Sequence, residues 1–380
     1  MGATGRAAVL GTAAFVAVML LGYAVWNGDQ EAARARRAAP ATDLTTSTTA
    51  LRPTTTVAEP CYGTAVPSET SIQAAVDANP SGTTFCLAGI YKGTVTPKSS
   101  QRFLGPATLH GAFLHGGSTD VVLRNLTIDA TGQASGIGSG LRWHIEGIDV
   151  SRANIGITVN TGTTITGGST HHNGQYGIVG GPLSDLTVNG TDCSFNNTRR
   201  LDPNFDAGCV KIHGHRAGGL GSERITFRNM RVHDNYGPGL WCDWSCRLVT
   251  YDGNQIWNNA NAGIFFELAF SARITNNQLR DNCMFYPTNS IHYCAEILIA
   301  AGTNVKVTGN VVDATRNGIG GKSVARKDLN TVYGLASLCN VQLAENAIRA
   351  PGTSSGWVGA PLRGCSTWPW YENGEATTAS

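Results

Sequence analysis

The sequence predicts an all-β solenoid, short coils stacked as a parallel β-helix. Three observations predict it. First, Ile225 to Leu268 repeats itself at an offset of 24: Phe227 falls on Tyr251, Val232 on Ile256, Asn235 on Asn259, Gly239 on Gly263, Leu240 on Ile264, Trp241 on Phe265 and Asp243 on Glu267. That period marks a solenoid and is too short for paired helices. Second, the 380 residues include 47 Gly and only 14% charged side chains. Such a composition suits short strands and tight turns rather than helices. Third, apolar strands and turn residues recur at Leu126, Ile148, Gly168, Thr191, Met230, Asn254, Asn277, Asn310 and Asn346, with gaps of 22, 20, 23, 39, 24, 23, 33 and 36 residues. About 8–10 coils follow from this spacing.

The chain opens with an apolar run, Ala7 to Trp26, 20 residues without a charge. That is long enough to span a bilayer, so residues 1–26 are expected to be a signal peptide or an N-terminal membrane anchor. No clear small-residue cleavage site ends the run, which favours the anchor. Residues 27–60, rich in Thr, Ala and Pro, read as a disordered linker. All ten cysteines lie beyond the apolar run. They point to disulfides, and so to an extracytoplasmic domain, anchored or secreted. The net charge of +2 gives no broad basic field for nucleic acid.

The ordered domain is expected over residues 61–366, with a flexible tail at 367–380. Glu69 to Ala78 is the best helix. Ser68 and Thr70 are candidate caps, and Ile72, Ala75 and Val76 share one face. A helix and a short strand here suit the cap that a solenoid's first coil needs. Three long gaps hold insertions, Thr198 to Glu223, Met284 to Cys294 and Lys322 to Gly334, which should map to loops on one face, often the binding face. Asn254, Asn277, Asn310 and Asn346 are expected to stack as an amide ladder. Pairing neighbouring cysteines gives Cys61–Cys86, Cys193–Cys209, Cys242–Cys246, Cys283–Cys294 and Cys339–Cys365.

The run SIQAAVDANPSGTTFCLAGIY, the GI-x-x repeats and the N-x-V/I/L-x-x-N turns resemble the right-handed parallel β-helix of the pectate-lyase-like superfamily, over roughly Thr70 to Ala350. GPGLWCDWS…NNANAGIFFE resembles secreted bacterial β-helix-repeat proteins. The protein is expected to be a monomer, with a polysaccharide or cell-wall glycan as its partner and the membrane met through the N-terminal segment. The resemblance does not choose among lyases, galacturonidase-type hydrolases, uronate epimerases and adhesins. The DPH-type motif of mannuronan epimerases is missing.

Strand side chains alternate between core and exterior. Leu240, Ile264, Cys242 and Phe266 are placed inside. Trp241, Phe265, Asp243 and Glu267 then point out. Carried backward at an offset of 32, Lys211 falls on Asp243, with His213 at the border. Carried forward, Ile299 follows Glu267, and then Lys322. The expected catalytic groups are Asp243, Glu267 and Lys211. Trp241 and Phe265 are expected to form a sugar platform, and His213 to touch substrate.

Two carboxylates ~5 Å apart suit a retaining glycosidase. The first expectation is therefore a glycoside hydrolase-like enzyme without a cofactor. One alternative is a polysaccharide lyase with Lys211 as base and Ca²⁺ on the carboxylates, with Asp206 and Asp234 as candidates to join them. Another is a non-catalytic glycan-binding or structural module. His171 and His172 lack partners at zinc spacing and read as turn residues, so no metal is assigned to them.

Overall fold

The computed structural model describes residues 61–215, 219–288, 290–291, 293–323, 330–359, 365 and 367–378. The signal or anchor segment and the linker lie outside them. Among the described residues, no helix is long and apolar enough to cross a membrane.

Strand follows strand in parallel register along three columns. In one column Val95, Phe113, Ile137, Ile157, Ile178, Val210, Leu240, Ile264, Ile297, Ile319 and Ser355 lie one above another. These eleven levels exceed the expected 8–10. The extra coils precede Leu126 and carry no Asn turn. They are written into long strands such as Arg102–Leu114. From Leu126 onward the expected equivalences hold, because each of those residues immediately precedes strands that pair in register.

The core is the inward half of each strand. Leu240, Cys242, Ile264 and Phe266 are fully buried, and Phe227 stacks on Tyr251 with centroids 5.5 Å apart. One helix, Ile72–Ala78, closes the first coil with Ile72 and Val76 buried. It is shorter than expected. Its cap is Ser71, whose side chain accepts from Ala74 N, so neither Ser68 nor Thr70 serves. At the other end, part of the expected tail is ordered. Trp370–Glu372 pairs with the strand Cys339–Ala344, and Trp370 is fully buried. Trp370 and Trp357 pack against Gly321, where an added Cβ would meet the Trp370 ring and the Trp357 Cβ. These two tryptophans cover the last coil as the helix covers the first.

Two amide ladders run up the corners. The expected one is present: Asn254 Nδ2 donates to Asn277 Oδ1 at 2.8 Å, Asn277 to Asn310 at 2.9 Å and Asn310 to Asn346 at 2.9 Å. A second joins Asn173, Asn196, Asn235, Asn259 and Asn282 at 2.8–2.9 Å per step and ends on the buried carboxylate of Glu296. Each buried amide satisfies donors of its neighbour, so losing one strands several groups at about 1–3 kcal/mol each. Asn259→Ala deprives Asn235 N of its acceptor, takes one of three from Asn235 Nδ2 and removes the donor to Asn282 Oδ1. It should cost about 3 kcal/mol in chemical denaturation; a loss under about 1 kcal/mol would show that water replaces the amide.

All five expected disulfides form, and no cysteine among the described residues is free. That usage suits an oxidising compartment. His172 takes the expected turn role, at a φ of 54°, whereas His171 ends the strand Ser169–His171. His171 Nε2 is 2.9 Å from Asp149 Oδ1, and His172 stacks on Phe195.

Candidate active site

The outward side chains of the column through Leu240 and Ile264 line a groove of ≈ 710 Å³. Its floor comes from successive strands Gly208–His213, Leu240–Asp243, Ile264–Glu267, Ile297–Ala300 and Ile319–Lys322. Asp243, Glu267, Lys211, Trp241 and Phe265 all line it. The expected groove is therefore assembled, with four corrections.

The first concerns register. Lys211 pairs with Trp241, and His213 with Asp243, so the offset across the insertion is 30 rather than 32. A slip of two keeps every side chain on its face, which is why Lys211 still points into the groove. It reaches Asp243 diagonally, Nζ to Oδ2 at 3.2 Å. The second concerns the forward step. Ala300, not Ile299, follows Glu267; Lys322 comes next as expected.

The third concerns the aromatic pair. Trp241 and Phe265 point out of the coil, yet they are only 2% and 9% exposed. The rings stack at 5.3 Å and 17°. On the other side of Trp241, Lys211 Nζ sits 3.5 Å from the ring centroid. Both faces of the indole are covered. No sugar ring can lie on it, and Trp241 and Phe265 form a packed floor. Leu298, Ala300 and the Cys283–Cys294 bridge complete that apolar cluster, with Tyr286 packed against it. The indole Nε1 remains a buried donor without a partner.

The fourth concerns His213. Its Nδ1 lies 3.1 Å from Gly214 O, and it is not among the residues lining the groove.

Lys211 is held on three sides. Besides Asp243 and the indole face, its ammonium donates to Phe205 O at 3.0 Å. This ties the loop before Gly208 to the coil. The walls come from residues that the repeat could not reveal: Asn204 and Phe205 from one insertion, Tyr286 and Tyr293 from another, Trp244 from the corner after Asp243. For Phe205, Tyr286 and Tyr293 the only sequence signal was an aromatic side chain inside an insertion.

The groove does not suit calcium, which takes 6–8 oxygen ligands. Asp243 and Glu267 are its carboxylates, and the first is tied to an ammonium. Asp234 instead bonds His233 and Asn258. Among the described residues, no three His, Cys, Asp or Glu side chains gather as a metal site.

A sequence profile described as a right handed beta helix region matches residues 110–312, and the chain belongs to that family. No curated protein matches it. Among solved structures it is similar to the A-module of the Azotobacter vinelandii mannuronan C-5 epimerase AlgE4, at 15% identity and a TM-score of 0.53, over 76% of this chain and 93% of that one. It is similar to the periplasmic alginate epimerase AlgG at 11% and 0.53, over 80% and 82%. It is also similar to the Dettilon tailspike protein at 12% and 0.53, over 82% and 66%. At such identities the likeness shows the shared fold.

Proposed function

We propose that this is an extracytoplasmic polysaccharide-active enzyme of the glycoside hydrolase type, working in the groove over Asp243 and Glu267. One observation carries the reading: two carboxylates on adjacent coils, whose backbones lie ~4.8 Å apart, share a walled groove. Carboxyl groups held near that spacing suit retention. One carboxyl gives its proton to the leaving glycosidic oxygen while the other attacks the anomeric carbon. Water then adds to that carbon, its proton passing to the first carboxylate, and releases the second. The disulfides support the extracytoplasmic setting.

Lys211 is a positioning residue in this reading. Asp243, Phe205 O and the Trp241 ring hold its Nζ away from an incoming substrate, so the geometry favours hydrolysis over elimination. The test is a reducing-end assay on cell-wall and plant polysaccharides, with absorbance of unsaturated products followed in parallel. New reducing ends without that absorbance are expected. Unsaturated products would make the protein a lyase, and binding without products a glycan-binding module.

Lys211→Gln separates the two chemistries further. As a tether of the loop at Phe205, its loss should raise KM several-fold and lower kcat by less than about tenfold. A catalytic base would lose about a hundredfold or more in kcat.

A further inference from the structure

Two insertions far apart in sequence meet beside the groove. Tyr286 Oη donates to Asn204 Oδ1, and Asn261 Nδ2 donates to Pro203 O at 3.1 Å. Tyr286 packs edge-on against Phe285 at 5.5 Å and lies 6.4 Å from Tyr293. Phe285 meets Tyr236 at 6.0 Å. The Cys283–Cys294 bridge closes one loop, and the Lys211 bond to Phe205 O pins the other. The loops thus form one wall.

This wall presents aromatic surface to solvent. Phe205 is 67% exposed and Tyr293 54%. Among the described residues, five aromatic side chains are more than a third exposed: Tyr62, Phe195, Phe205, Tyr293 and Trp368. Phe195 is stacked on His172. Phe205 and Tyr293 are the two of the five that line the groove. Holding rings in water beside a groove does nothing for the core, and exposed apolar surface of this kind marks a binding site.

We infer that Phe205 and Tyr293 are the glycan-stacking residues of this protein, each packing against the C–H face of a pyranose in a chain that runs across the coils. This rests on the reading that the groove takes a glycan. The direction follows from the five strands of the floor, whose four steps of ~4.8 Å give the groove roughly 19 Å of length. Aromatic rings suit pyranoses because they bury flat apolar faces while leaving hydroxyls wet.

The test is affinity electrophoresis of the full chain in gels carrying alginate, polygalacturonate, xylan or a soluble cellulose derivative. Phe205→Ala and Tyr293→Ala should each weaken binding about tenfold, with Tm unchanged because both rings are exposed. Their Trp replacements should retain binding. Wild-type affinity in the double alanine variant would overturn this inference and leave the groove reading standing. A wild type that binds none of the four would overturn both. Should the double variant lose binding together with Tm, rescue by Phe205→Trp with Tyr293→Trp supports the stacking role, and failure of rescue overturns it.

Discussion

Asp243→Asn is expected to lower kcat by about a hundredfold or more on whichever polysaccharide the wild type cleaves, and Glu267→Gln by a similar factor. Each amide keeps the shape of its acid but can neither release a proton nor attack as an anion. Because acid and nucleophile serve the same cleavage, the double variant should be little worse than the poorer single one. Folding should survive. Asp243 loses its charge toward Lys211, but the ammonium keeps Phe205 O and the indole face of Trp241. Stopped or continuous reducing-end assays give kcat and KM, with Tm as the control for folding. Undiminished kcat in both single variants would remove the carboxylate pair from the chemistry.

Glu296→Gln should abolish a pH dependence of stability. Glu296 is 1% exposed. Burial pushes its carboxyl up to about 8, although Asn282 donates to it from both its backbone N and its side chain. The folded protein therefore holds a proton that the unfolded chain releases near pH 4.5. Between those two values the folded state binds more protons, so stability falls as pH rises and levels off above about 8. The Gln amide oxygen can accept one of the two Asn282 donors that the carboxyl takes on separate oxygens, and it has no charge to bury. The variant should match the wild type near pH 4. By pH 8.5 it should be the more stable by on the order of a few kcal/mol. Urea denaturation across that range reads the difference, and parallel curves would show that Glu296 is already ionised and compensated. Glu296 immediately precedes the Ile297–Ala300 strand, where the loop carrying Tyr286 and Tyr293 rejoins the coil. Ionisation would load the root of that wall.

Much of this was legible in residue order. The repeat from Phe227 to Glu267 set the coil period, and it placed Leu240 and Ile264 inside with Asp243 and Glu267 outside. The Asn254 ladder was readable because its members recur at coil spacing. The disulfides followed from adjacency along the chain. In contrast, the Lys211 register slipped by two where an insertion breaks the period, since an insertion's length says nothing about where pairing resumes. Glu296 was invisible for a related reason: it ends a ladder of asparagines without resembling one.

The sequence by itself determined the solenoid, its inward and outward residues and the column that carries the carboxylates. All of these repeat at short range, and strand pairing between neighbouring coils enforces them. Only the tertiary structure decided what covers that column. Trp241 and Phe265 became floor because Lys211 lies over one side of the pair and loops close around it. Phe205 and Tyr293 became the exposed rings because Asn204 and Tyr286, 82 residues apart, hydrogen-bond across two insertions. Contacts of that kind depend on loop conformation and have no period from which to read them.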